Sequence, residues 1–94
     1  MLSTIPVNIE KAKKEDIDKE ILRAGIIAEL DAINLYEQMA ALTGNKRIVR
    51  VLLDIAREEK EHVGEFMTLL LESDKEQADE LEEGKEEVKR LSST

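Results

Sequence analysis

Residues 22–71 read LRAGIIAELDAINLYEQMAALTGNKRIVRVLLDIAREEKEHVGEFMTLLL, and this stretch decides the fold. Before its Thr43-Gly44-Asn45 break, apolar residues recur at helical spacing: Ile17, Ile21, Leu22, Ile26, Ile27, Leu30, Ile33, Tyr36, Met39 and Ala40. After the break the same period returns in Ile48, Val49, Leu52, Ile55, Ala56, Val63, Phe66, Met67 and Leu70. Gly and Asn tolerate the left-handed conformation that ends helices, so Thr43-Gly44-Asn45 is read as a stop of that kind. The pattern predicts one helix over residues 16–43 and a second over 46–72, each roughly 39 Å long at 1.5 Å per residue. A joint this short makes them an antiparallel hairpin.

The flanks add less. Residues 1–15, with the single Pro6, form an N-terminal segment without lasting periodicity. Ser73-Asp74 interrupts the second helix, and a polar third helix is expected over residues 74–90. It holds most of the charge excess: residues 72–90 carry 9 acidic and 4 basic side chains, within a chain of net charge −8. A solvated helix laced by ion pairs one turn apart accounts for that composition. The expected class is all-α, in one domain of 94 residues.

Composition excludes several functions. Charged residues make up 38% of the chain, against roughly 25% in an average soluble protein. With no Cys there is no disulfide, zinc finger or iron–sulfur cluster to expect. A net negative surface does not suit nucleic acid, and it attracts cations. No apolar run approaches the roughly 20 residues of a membrane span, and no signal peptide is recognisable at the N-terminus. A soluble, cytoplasmic protein follows as the expectation. With one Phe, one Tyr and no Trp, the core must be aliphatic.

A two-helix hairpin cannot bury all that these helices offer. Ile26 and Ile27 are adjacent, Leu35 lies off the Ile33 side, and Val51-Leu52-Leu53 and Leu69-Leu70-Leu71 repeat the excess. The leftover stripes need a partner, most simply a second hairpin completing a four-helix bundle. A homo-oligomer is expected on this ground.

The informative positions are polar residues inside apolar stripes. Glu29 sits within Leu22, Ile26, Ile33, Tyr36 and Ala40. Glu59 and His62 sit within Leu52, Ile55, Ala56, Val63, Phe66 and Leu70. Glu29 precedes the turn by about as many residues as Glu59 follows it, so antiparallel packing sets all three at one height. No Lys or Arg shares the stripes, and Arg23 and Lys60 face elsewhere by helical phase. A buried carboxylate without a cation is costly, and a metal ion is the economical remedy. Glu59-Lys60-Glu61-His62 is a Glu-x-x-His pair whose i,i+3 spacing lets both side chains hold one metal. In so charged a chain such a pair also arises by chance; its place on the apolar stripe, opposite Glu29, argues against that. Di-iron carboxylate bundles use one Glu from each of two helices and one Glu-x-x-His from each of two others. This chain supplies half of that set, and a two-fold axis would supply the rest.

The segment from Glu29 to His62, with AELDAINLY before the turn and REEKEHV after it, resembles the encapsulated ferritins, half-length ferritin-like proteins associated with encapsulin nanocompartments. The resemblance covers residues 20–72. It implies a ferroxidase with Glu29, Glu59 and His62 as ligands of iron, two irons per dimer, Glu59 bridging them and each His62 capping one. It implies a ring of five dimers, an encapsulin shell protein as partner and a place inside the nanocompartment. It also allows that this chain is the ferritin-like part of a fusion to a shell protein. Ala28 stands where the family often carries an acidic residue, Asp31 keeps a second acidic position, and Leu35 replaces a frequent Trp.

Fe(II) and O₂ are then the substrates: two Fe(II) about 3.5–4 Å apart can deliver two electrons to one O₂. Tyr36, two turns from Glu29 on the same face, is read either as a catalytic group that hydrogen-bonds a ligand or donates an electron, or as a core tyrosine. Asp31, Glu58 and Glu61 are candidates for secondary metal sites on the way in, or ordinary surface charges. Two alternatives stand beside the ferroxidase: a rubrerythrin-like di-iron peroxidase, and a helical scaffold that binds no metal.

Overall fold

The computed structural model describes residues 13, 14 and 16–93, so most of the N-terminal segment expected over residues 1–15 lies outside the described residues. Three helices follow in order: α1, Ile17–Leu42; α2, Lys46–Ser73; and α3, Lys75–Ser92. The described residues contain no strand, and the fold is all-α. α1 and α2 form an antiparallel hairpin, while α3 touches α2 and leaves the hairpin's side. The Cα radius of gyration is 16.6 Å, with extents of 46 × 45 × 20 Å. A compact chain of this length would have a radius of about 12 Å. The molecule is flat and angular because α3 projects.

The hairpin is held by one seam with a seven-residue repeat. Ile26, Ile33 and Ala40 are buried on α1, seven residues apart, and Ala56 and Leu70 on α2, fourteen apart. A repeat of 3.5 residues per turn keeps such a seam facing its partner helix. The second set of seam positions is only half-buried: Leu22, Glu29 and Tyr36 on α1, and Leu52, Glu59 and Phe66 on α2. Further round, Ile21, Leu30, Ile48, Val51, Leu53 and Leu69 are 45–59% exposed. The hairpin thus buries one edge of its apolar surface and leaves the other open.

The α1–α2 joint turns the chain by another means than the left-handed residue expected from Gly44 or Asn45. No described residue has positive φ. Thr43 and Asn45 are both extended, with ψ of 140° and 111°. Asn45 serves as the N-cap of α2, its Oδ1 accepting from the Arg47 and Ile48 N–H groups at 3.0 and 3.3 Å. Its own N–H donates to Thr43 Oγ1 at 3.2 Å. Side-chain oxygens satisfy the helix end, so no left-handed residue is required.

The α2–α3 junction is tied more firmly. Asp74 ends α2 and caps α3, its Oδ1 accepting from the Gln77 N–H at 3.1 Å. Its Oδ2 receives a charged hydrogen bond from Arg23 of α1 at 2.9 Å. Asp74 is the one buried charged residue among those described. The Gln77 N–H, with Lys19 and Arg23, holds its carboxyl below the usual range against the opposing effect of burial. Beyond this anchor no α3 residue is fully buried, although Ala78 and Leu81 are half-buried. Its surface carries Lys75–Asp79, Lys85–Glu82, Lys89–Glu86 and Arg90–Glu87 pairs, which contribute little each when exposed.

Candidate metal centre

The helical register sets the site. Glu29 of α1 lies opposite His62 of α2, and one turn away Gly25 lies opposite Phe66. Glu29 and Glu59 both occupy half-buried seam positions where the neighbours along each helix are apolar. Each carboxylate is therefore aimed between the helices by the same repeat that builds the core. His62, three residues after Glu59, projects from the same face.

The three side chains meet. His62 Nδ1 lies 3.3 Å from Glu29 Oε2 and 3.5 Å from Glu59 Oε2. One ligand atom from each residue lies within 4.8 Å of the others. Donors on opposite sides of a metal at about 2.1 Å would be about 4.2 Å apart, so small adjustments close the set around an ion. The carboxylate side chains are 18% and 20% exposed and the imidazole 42%. The centre is sheltered by the hairpin on one side and open on the other.

Its electrostatics are one-sided. One imidazole nitrogen faces two carboxylates and can donate a single hydrogen to them. The nearby cations are engaged elsewhere: Lys60 pairs with Glu37 at 3.0 Å and Arg23 with Asp74. Among the described residues, neither Glu29 nor Glu59 has a Lys or Arg partner. Two oxygens and one nitrogen form a hard-to-borderline donor set that suits a first-row divalent ion.

The other candidates fall outside this trio. Tyr36 is half-buried two turns along α1, and its hydroxyl makes no hydrogen bond to Glu29, Glu59 or His62. Asp31 is half-buried, and Glu58 and Glu61 are exposed, with Glu61 3.9 Å from Arg57. The sequence reading passed over Asp74 as a mere break. The Asp74-Lys75-Glu76-Gln77 spacing, an acidic cap followed three residues later by Gln, is the signal that could have exposed its role.

An all-α hairpin carrying a carboxylate from one helix and a Glu-x-x-His from the next defines a ferritin-like class, and the comparisons agree. The family model for rubrerythrin matches residues 20–93. The crystal structure of the encapsulated ferritin domain from Pyrococcus furiosus superposes with a TM-score of 0.84 at 54% identity, covering 100% of this chain and 98% of that one. The chain belongs to the rubrerythrin family and, within it, to the encapsulated ferritins. It is 58% identical over 94 residues to a ferritin-like–encapsulin shell fusion protein of Pyrococcus furiosus, matching 97% of this chain but 27% of that protein. An encapsulin nanocompartment cargo protein of Myxococcus xanthus is 38% identical over 72 residues, 77% of this chain and 55% of the relative. The chain thus spans about a quarter and about half of these two relatives. No helix among the described residues is long and apolar enough to cross a membrane.

Proposed function

We propose that this chain is a ferroxidase, oxidising Fe(II) to Fe(III) with O₂ at a centre shared by two copies. The observation that carries the reading is the convergence of Glu29, Glu59 and His62 with no Lys or Arg partner among the described residues. Each copy brings two carboxylates and one imidazole, so a dimer brings four carboxylates, the charge that neutralises two Fe(II). By the family resemblance Glu59 would bridge the two irons, Glu29 would hold one from the α1 side, and His62 would cap one through a ring nitrogen. Two Fe(II) held there would supply two electrons to one O₂, one from each iron, reducing it to peroxide, and the carboxylates would then no longer balance the ferric charge. The excess is relieved by hydrolysis and proton release as the ferric product leaves. Carboxylates suit this cycle because they shift between bridging and terminal binding. Tyr36 is placed as a second-turn neighbour that acts on the site through the seam, and Asp31, Glu58 and Glu61 as acidic groups on the cation's way in.

Assembly follows from the open edge. The half-exposed seam positions and the exposed Ile21, Leu30, Val51 and Leu69 support a second hairpin packing there, giving a four-helix bundle with the irons at its middle. A decameric ring of five dimers, an encapsulin shell partner and a place inside the nanocompartment are carried over from the resemblance and from the relatives' names. A hairpin encloses no volume, so the shell would hold the mineral.

The test is an anaerobic Fe(II) titration followed by admission of O₂. Saturation at about one iron per chain is expected, with rapid oxidation that Glu59→Ala abolishes. Oxidation at the buffer rate with no tight binding would sink the reading and favour the scaffold. The rubrerythrin match favours one other reaction, reduction of peroxide. Its electron donor would lie outside these Cys-free 94 residues, and turnover that prefers peroxide to O₂ would select it.

A further inference from the structure

We infer that Gly25 and Phe66 form a positioning contact that sets the spacing between Glu29 and the Glu59–His62 pair, and so tunes how tightly the centre holds a divalent ion. The inference rests on the metal-binding reading above. Glu29 faces His62 across the hairpin, and one turn away Gly25 faces Phe66, the single Phe of the chain. A Cβ placed on Gly25 would lie 3.1, 3.2 and 3.3 Å from three atoms of the Phe66 ring. The ring therefore rests on α1 at the place where a side chain is missing. Glycine is a poor choice within a helix, since it costs stability against Ala. Its φ here is ordinary for a helix, so backbone freedom does not explain it. The close approach of the ring does. Gly64 and Gly84, by contrast, have nothing within 4 Å of an added Cβ.

The contact reaches the site through stiff elements. Gly25 precedes Glu29 by four residues, and Phe66 follows His62 by four, about 6 Å of helix on each side. Forcing α1 and α2 apart at this layer by a few tenths of an ångström moves the facing donors by a similar amount. Metal–ligand distances hold to about 0.2 Å, so such a shift is felt by a bound ion. Apolar contacts tolerate a shift of that size better than metal bonds do, and the seam around this layer is held by the buried Ile26, Ile33 and Leu70.

The probe is Co(II) alone, added to the full chain under anaerobic conditions. Its visible d–d absorption reports ligand geometry without turnover. Gly25→Ala is expected to weaken Co(II) binding about tenfold, the order seen when groups supporting metal ligands are changed, and to alter the band envelope. Its Tm should change little, because the stronger helix propensity of Ala offsets the cost of shifting the Phe66 ring. Phe66→Leu on the Gly25→Ala background should recover most of the affinity and the native spectrum, since the shorter side chain makes room for the methyl. Unchanged affinity and spectrum in Gly25→Ala overturn the positioning role while leaving the metal site intact. A loss that follows a fall in Tm and is not rescued by Phe66→Leu overturns it too. If the unsubstituted chain binds no Co(II), or Glu59→Ala binds as well as the unsubstituted chain, the metal-binding reading itself fails and the positioning role with it.

Discussion

Two acidic clusters lie between the helices of this molecule, and they differ in burial and in partners. Asp74 is buried and fully partnered: Arg23 of α1 meets one oxygen and the Gln77 N–H the other. Glu29 and Glu59 are about one-fifth exposed and face only the shared nitrogen of His62. The first cluster is complete within the chain, so it serves the fold. Among the described residues the second has no Lys or Arg partner, and the metal-binding proposal rests on that difference. A carboxylate between helices is thus structural or functional according to whether its cation is encoded in the same sequence.

The largest expected effect breaks the second cluster. Glu59→Ala removes one of the three converging side chains, and on the proposed function Fe(II) oxidation should fall to the rate in buffer while far-UV circular dichroism is unchanged. Oxidation that persists would move the site elsewhere, with Glu58 and Glu61 the next residues to replace.

Breaking the first cluster should do the opposite, lowering stability and leaving the hairpin's metal affinity intact. Asp74→Ala loses the cap and the Arg23 pair together, whereas Asp74→Asn keeps one oxygen for the Gln77 N–H and loses the charge and the second acceptor that Arg23 uses. Thermal melts should rank them native above Asn above Ala. The pH dependence has a defined sign. Because folding lowers the Asp74 pKa, its contribution is fully present above the unfolded value of about 3.9 and fades as pH falls through the folded one. The Tm gap between native and Asp74→Asn should therefore be constant at neutral pH and close below about pH 4. A gap that persists in acid would mean that packing at the junction, rather than the charge, holds α3.

The two clusters also differed in how far the sequence disclosed them. Glu29, Glu59 and His62 announce themselves as polar residues at apolar positions, and a regular hairpin makes their heights predictable by counting from the turn. Asp74 carries no such mark, since it sits at a break where polar residues are ordinary. Its partner Arg23 is fifty-one positions away, and the pair exists only because α3 leaves α2 beside the start of α1. The turn was located correctly but for the wrong reason. Gly and Asn suggested a left-handed stop, whereas the structure uses Asn45 as a side-chain acceptor for the next helix. Periodicity reports which face of a helix is buried. It does not report which hydrogen bond satisfies a helix end, because several local solutions use the same residue types.

A smaller effect sharpens the contrast. In metal-free protein, Glu59→Gln removes one of two negative charges that share a single imidazole nitrogen, without changing size. Stability should rise by on the order of 1 kcal/mol, as Coulomb repulsion at a half-buried position suggests. Saturating divalent metal should reverse the ranking by stabilising the native chain alone. Asp74→Asn, a similar charge removal, should lower stability with or without metal. If both substitutions shift the metal-free Tm in the same direction, the distinction between a completed and an incomplete cluster fails.

The smallest predicted effect concerns the α1–α2 joint. Asn45 is exposed, and its value lies in two hydrogen bonds to the first turn of α2. Replacing it by Ala should cost about 1 kcal/mol, the usual loss for an N-cap, and Asn45→Asp should cost less. Asp should do better than at an ordinary cap, because α2 has no acidic residue in its first turn and opens with Lys46 and Arg47, an arrangement that the helix dipole disfavours. A negative cap offsets that charge pattern, so denaturant melts should place Asn45→Asp close to native and well above Asn45→Ala. Both variants keep the register that sets Glu29 against His62, so Co(II) affinity should not change. A change in affinity would show that the turn, as well as the seam, fixes the height at which the three ligands meet.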